Sequence, residues 1–321
     1  MNRAMWTWVR FLGGLGVLGV IGWRLGTGPF LDGLRAVDPR SIALAVVITC
    51  ATTTACARRW QVVARGLGVG LPLLRAIAAY YRSQFLNTVL PGGILGDVHR
   101  GVDHGRATGD LSRGLRAVAW ERVAGQIAQL VVATVVLVVL PSPVRSALPL
   151  FVAGAAVVVL VIAGAVRFAP RTGVSRSAQA WRVAASDVRH GLFARRAWPA
   201  ITAASLVVVV GHVSVFVIAA HSVGVHASLR VVLPLALLVL VAAALPTNIG
   251  GWGPREGVAA WVFASAGQGA DHGVATATAF GVLMLIATLP GAIVVAATMR
   301  RHRAAEPAPT FDRRLVGARD G

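Results

Sequence analysis

Six long stretches without an acidic or basic charge recur along the chain, at residues 11–23, 41–57, 123–144, 146–166, 197–229 and 273–299. A bilayer core needs roughly 20 consecutive apolar residues per helix. Four of these runs meet that length, 41–57 falls slightly short, and 11–23 has 13 residues. In hydrocarbon every backbone N–H and C=O must be satisfied within the chain. The pattern therefore predicts an all-α integral membrane protein. Composition agrees: 56% of residues are hydrophobic, 13% are charged, and the mean hydropathy is +0.71. A soluble domain carries about 25% charged residues.

The basic residues are all arginine, and the formal net charge is +19. In a soluble protein that balance suggests nucleic acid. Here the arginines lie between apolar runs, where they set orientation and meet anionic headgroups. No nucleic-acid partner is expected. Segment 167–196 holds seven arginines and one acid, Asp187, and six more arginines follow Met299. With the Arg-rich stretch 58–116, these are assigned to the cytoplasm. The expected orientation has both termini cytoplasmic, in a bacterial-type inner membrane. Residues 1–40 would form a first helix and its connection, 41–299 the membrane domain, and 300–321 a disordered basic tail. Run 11–23 resembles a signal peptide, but it lacks a small-residue cleavage site and is bracketed by Trp6, Trp8 and Trp23. It is therefore read as a retained helix. Gly22 and Gly26 form a GxxxG that would suit close helix packing. Cys50 and Cys56 lie six apart and are not expected to pair.

Three further segments, 72–90, 231–245 and 257–270, are too short or too polar for ordinary spans. They flank two related motifs. Leu90-Pro-Gly-Gly-Ile-Leu-Gly-Asp-Val-His-Arg100 aligns without gaps on Leu245-Pro-Thr-Asn-Ile-Gly-Gly-Trp-Gly-Pro-Arg255. Leu90/Leu245, Pro91/Pro246, Ile94/Ile249, Gly96/Gly251 and Arg100/Arg255 are identical. With about six transmembrane helices and two re-entrant or broken segments, three crossings separate the copies. The second would then be inverted. Paired Gly/Pro-interrupted segments in inverted halves mark the binding site of many transporters.

The motif chemistry suits an anion. Pro91, Gly92, Gly93 and Gly96, and then Pro246, Gly250, Gly251 and Gly253, would break the helix and serve as loops or hinges. A helix restarting after such a break directs its positive end into the gap. Arg100 and Arg255 are the first candidates to grip a phosphate, since a guanidinium stays charged when buried and binds bidentately. Arg82 joins them as a candidate. The alternative for the motif arginines is pairing with acids or reaching for the interface. Asp97 and Glu256 would be structural ion-pair partners or gating groups. Glu121 and Arg122 are adjacent and point about 100° apart on a helix, so one is expected to reach the motif and the other a headgroup. Asn87 and Asn248 are candidate caps beside the breaks. Asp97, His99, Asp103 and His104 lack a second ligand group with metal-like spacing, so no metal is expected. His212, inside a span, is read as a helix–helix hydrogen bond or a proton relay. No nucleophile elbow, P-loop, dinucleotide fingerprint or HExxH occurs, and no cofactor is expected.

The run Asn87-x-x-Leu90-Pro-Gly-Gly-Ile-Leu-Gly-Asp97-x-x-Arg100, then Glu121-Arg122, then Leu245-Pro-x-x-Ile-Gly-Gly-x-Gly-x-Arg255-Glu256-Gly257, resembles the flippase-like membrane region of lysylphosphatidylglycerol synthases. The resemblance implies a membrane protein that moves or presents an anionic lipid, either a phospholipid or a polyprenyl-phosphate-linked one. In bifunctional members a soluble C-terminal domain transfers lysine to phosphatidylglycerol. This sequence ends soon after Met299, so lysyltransfer by this chain alone is not expected. The alternative is a membrane component or accessory subunit of a lipid-modifying system, with a cytoplasmic enzyme partner recruited through segment 167–196.

Overall fold

The computed structural model describes residues 19–20, 23–90, 93–140, 149, 152–154, 156, 160, 164, 176–244 and 253–305. All regular structure among the described residues is helical. The helices are α1 (Gly28–Arg35), α2 (Pro39–Gly66), α3 (Leu73–Val89), α4 (Leu95–Thr108) and α5 (Leu111–Val139). They continue with α6 (Arg176–Asp187, followed by a π-helical turn Val188–Leu192), α7 (Trp198–Ser222), α8 (Leu229–Ala243), α9 (Pro254–Ser265), α10 (Ala270–Thr288) and α11 (Pro290–Ala305).

Four of these, α2, α5, α7 and α10, are long and apolar enough to cross a membrane. The protein is a multi-pass membrane protein. The runs 11–23 and 146–166 lie almost wholly outside the described residues, as does the tail beyond Ala305. Helix α11 itself continues past residue 300.

The spans differ from the uncharged runs in instructive ways. Helix α2 does not stop at Ala57 but continues to Gly66, because Arg59 turns inward and is buried. Helix α5 starts at Leu111, so Glu121 and Arg122 lie within the span rather than at its mouth. The run 273–299 is two helices, interrupted at Leu289, because Pro290 can begin a helix but cannot continue one. Arg59, Arg82 and Arg100 are buried and ion-paired. They therefore carry little of the orientation signal that the stretch 58–116 suggested.

The order of elements repeats. Among the described residues a long helix, two short helices and a long helix follow one another in α2–α5 and again in α7–α10. In each copy the last two helices form a tight hairpin. Gly109 (φ +72) closes α4, and Asp110 caps α5 by accepting the Arg113 N–H at 2.9 Å. A Cβ on Gly114 would lie 2.4 Å from the Gly105 nitrogen, so the α4–α5 seam requires glycine. In the second copy a Cβ on Gly273 would lie 2.3 Å from the Ala259 carbonyl oxygen. Small residues allow this approach where the hydrophobic effect does not drive helices together. Gly26 does not act this way: its φ is +75 and a Cβ there would meet nothing, so it is a turn residue rather than a packing point. Gly22 lies outside the described residues.

The largest core cluster joins α2, α7, α8, α9 and α10. Phe216 stands between Phe263 and Phe280, with ring centroids 6.3 and 5.7 Å away. A second cluster, around Trp60, Val63, Tyr80 and Ala117, surrounds the first motif.

Candidate functional site

Gly93, with φ +59, turns the chain into α4. Asn87, on α3, accepts the Gly96 N–H at 2.8 Å and so caps α4 from a neighbouring helix. Gly96 permits this contact, because a Cβ there would lie 2.2 Å from the Ser83 carbonyl oxygen. Gly96 thus acts by close approach, while the positive φ belongs to Gly93.

The first motif is neutralised by a continuous chain of ion pairs. Glu121 is fully buried and accepts from Arg59 Nε at 2.8 Å and Nη2 at 2.5 Å. It also accepts from Arg100 Nη2 at 3.1 Å and Tyr80 Oη at 3.2 Å. Asp97 accepts from the same Arg100 Nη2 at 2.6 Å, from Ser83 Oγ at 3.0 Å and Asn87 Nδ2 at 2.8 Å, and from Arg122. The order is Arg59–Glu121–Arg100–Asp97–Arg122. Both members of Glu121-Arg122 therefore engage the motif, contrary to the expectation that one would face a headgroup. The reason is spacing: Asp97 and Arg100 lie on one face of α4, three residues apart, and offer separate partners to two side chains that diverge on α5.

Arg100 is 1% exposed. Its guanidinium carbon stands 4.6 Å from the Trp60 ring centre and 4.1 Å from that of Tyr80. Two rings and two carboxylates enclose it. Arg82 pairs with Asp103 and joins α3 to α4. His99 Nδ1 lies 3.3 Å from the same carboxylate. Among the described residues no group of three or more metal-ligating side chains is found.

The second motif is built differently. Gly253, with φ +110, turns the chain into α9, and Pro254 opens the helix. Glu256 reaches back to accept the Gly253 N–H at 2.6 Å, and its other oxygen accepts from Arg255 Nε at 2.9 Å and Nη2 at 2.5 Å. Pro91, Gly92, Pro246, Asn248, Gly250 and Gly251 lie outside the described residues.

The two motifs face one cavity of about 310 Å³, bounded by α2–α5 and α7–α10. Arg59, Arg122 and Arg255 line it, with Asp97 as the one lining carboxylate. Counting these side chains gives three positive charges and one negative, a surplus of two. Adding Arg100, Glu121 and Glu256 behind the wall gives four against three, a surplus of one. Ser83, Gln84, Asn87, Gln126, Gln129, Ser205 and His212 supply neutral polar groups. Arg100, Arg82, Glu121 and Glu256 do not line the cavity. Glycine makes room for two of the guanidiniums. A Cβ on Gly125 would lie 2.7 Å from Arg59 Nη2, and one on Gly281 would lie 2.4 Å from Arg255 Nη2.

A family model, the lysylphosphatidylglycerol synthase TM region, matches residues 8–291. The chain belongs to that family. No curated protein and no solved structure matches it. As a lysylphosphatidylglycerol synthase membrane region, the chain holds its polar residues in a cavity shared by both motifs.

Sequence reasoning missed Arg59, Tyr80, Trp60 and the glycines opposite the guanidiniums. Arg59 had one legible signal: apolar residues resume directly after it, at Trp60, Val62, Val63 and Ala64. Its pairing with Glu121, 62 positions away, had none. His212 Nδ1 lies 2.8 Å from the Val208 carbonyl oxygen, one turn earlier in its own helix. Its hydrogen bond is thus intrahelical.

Proposed function

We propose that this chain translocates or presents an anionic lipid across the bilayer, with the headgroup held in the cavity between the two motifs. One observation carries the reading: three guanidiniums, from α2, α5 and α9, converge on a single polar cavity inside a membrane protein. Buried arginines in hydrocarbon are costly, and those that face a cavity mark a substrate path. Arg255 and Arg122 grip the phosphate. Arg100, Asp97, Glu121 and Glu256 hold those arginines in place, and Gly93 and Gly253 serve as turns about which the motif helices adjust. The two copies of the element order act as inverted halves around the site.

The test is lipid movement in proteoliposomes containing labelled phosphatidylglycerol, with and without a proton gradient. A charge-assisted hydrogen bond is worth about 1.5–3 kcal/mol. Arg255→Ala and Arg122→Gln should therefore slow movement by about tenfold or more. Movement no faster than in protein-free liposomes, under both conditions, would sink the proposal.

A second reading, an accessory subunit that recruits a cytoplasmic enzyme, draws on segment 176–198. Asp187 fastens it to α5, accepting from Arg116 Nε at 2.7 Å and Trp120 Nε1 at 3.1 Å. Trp181 and Phe193 remain exposed. Affinity capture with residues 176–186 replaced by a neutral linker tests it. An unchanged set of partners would reject it.

A further inference from the structure

We infer that the headgroup phosphate enters this cavity together with one proton, which Asp97 takes up as the phosphate draws Arg122 away from it. The inference rests on the lipid-handling reading and adds how binding is coupled to protons.

Three observations carry it. First, the pairs in the chain Arg59–Glu121–Arg100–Asp97–Arg122 are not equally open. Arg122–Asp97 is the one pair of which both members line the cavity. Glu121 and Arg100 are sealed behind the wall. The Arg122 side chain is 37% exposed, the most open of the five. A phosphate that reaches Arg122 therefore meets a guanidinium already held by a carboxylate, and the two anions compete for it. Second, Asp97 cannot follow when Arg122 turns to the phosphate. Its Oδ1 accepts from Ser83 Oγ at 3.0 Å and Arg100 Nη2 at 2.6 Å, and its Oδ2 from Asn87 Nδ2 at 2.8 Å. Asn87 is itself tied to the Gly96 N–H. The carboxylate stays at the wall with Arg100 as its remaining cation, and Arg100 Nη2 is shared with Glu121. A carboxylate that loses an opposite charge and gains an anion nearby binds a proton more tightly. Protonated on Oδ2, Asp97 donates that hydrogen to a phosphate oxygen. The proton comes from solvent, and no covalent bond of the lipid changes.

Third, the surrounding charges balance. From α2, Arg59 is held by Glu121, with Cys56 beside it. From α3, the Tyr80 hydroxyl donates to Glu121, and Arg82 is taken by Asp103 further along α4. Across the cavity, Arg255 on α9 is held by Glu256, and His212 Nδ1 on α7 faces the Val208 carbonyl oxygen of its own helix. Asp97 is the one carboxylate in the lining. Three arginines and that acid give the lining a surplus of two positive charges. One phosphodiester and one proton leave this surplus unchanged. The pair Arg122–Asp97 thus exchanges an internal counter-ion for the lipid phosphate, and the proton keeps the buried site at constant charge.

The test is isothermal titration calorimetry of the full chain in detergent with dihexanoyl phosphatidylglycerol, in buffers of low and high ionisation enthalpy. The difference in heat between buffers counts the protons taken up. The parent should take up about one proton per lipid bound, and its Kd should rise about tenfold per pH unit between about pH 6 and 8. The sign follows from the bound state holding the extra proton, so affinity falls as pH rises. Asp97→Asn stands in for the protonated carboxyl and leaves Arg100 paired with Glu121. It should bind without proton uptake, with a Kd that stays flat over the same range. His212→Gln should keep the uptake. Binding by the parent with no proton uptake overturns this inference and leaves the lipid-handling reading standing, and that measurement needs no variant. Uptake that survives in Asp97→Asn, or vanishes in His212→Gln, assigns the proton elsewhere and also overturns it. No binding by the parent at any pH overturns both.

Discussion

Arg100 and Arg255 occupy the same position in the two motifs, and the fold treats them oppositely. Arg100 is enclosed by Asp97, Glu121, Trp60 and Tyr80 and is sealed from the cavity. Arg255 has its own neighbour, Glu256, as partner, stands 5.7 Å from the Phe280 ring centre, and lines the cavity. At the corresponding offset of 155 residues, Glu121 is matched by Thr276. The first copy has become an ion-paired scaffold that presents Arg59 and Arg122. The second presents its motif arginine directly. Identical motif letters thus sit in different surroundings: Arg100 between two carboxylates and two rings, Arg255 beside Glu256 at the cavity wall.

The sharpest way to break that comparison is to truncate its two arginines. Removing one partner of a buried ion pair leaves uncompensated charge and costs about 3–5 kcal/mol. Arg100→Ala should lower the thermal stability of the purified protein by that order, and so should Glu121→Ala, which leaves Arg59 without a carboxylate and Arg100 with Asp97 alone. Arg255→Ala removes the partner of one buried carboxylate, Glu256, rather than of two, so it should cost less stability than Arg100→Ala while slowing lipid movement about tenfold or more. Equal stability losses at Arg100 and Arg255 would show that the halves are equivalent after all.

A smaller effect is expected at the glycines. Gly281→Ala puts a methyl group into the Arg255 guanidinium, and Gly125→Ala does the same to Arg59. Overpacking costs about 1–3 kcal/mol. Because Arg59 is fixed by Glu121 and Ser205 Oγ (3.0 Å), Gly125→Ala should lower the melting temperature. Gly281→Ala should act mainly on lipid movement. The mildest change is Asn87→Ala, which removes the cap on α4. It should cost about 1–2 kcal/mol and be detectable as faster amide exchange in the first turn of α4, with α9 unaffected because Glu256 provides its own cap.

Much of the fold is legible in the sequence. The apolar runs announced a helical membrane protein, and the first Leu-Pro motif falls between α3 and α4. Gly93 and Gly253, both among the glycines expected to break the helix, adopt positive φ just before α4 and α9 begin. The boundaries were less legible. An arginine in a sequence reads as the end of a span, and Arg59 violates that rule because its charge is neutralised by a residue far along the chain.

What the sequence determined by itself is local. Hydropathy over about 20 residues decides which segments can enter a bilayer, and glycine and proline decide where a helix must stop and start, because both act through the backbone of their own residue. The tertiary structure alone decided which arginines face the cavity and which are sealed. A guanidinium's role depends on the carboxylates, rings and glycines that surround it. The distant ones come from α2, α3, α5 and α10, at separations no periodicity records. Arg59, Arg122 and Arg255 share one cavity only because three helices, distant in the chain, are packed against each other.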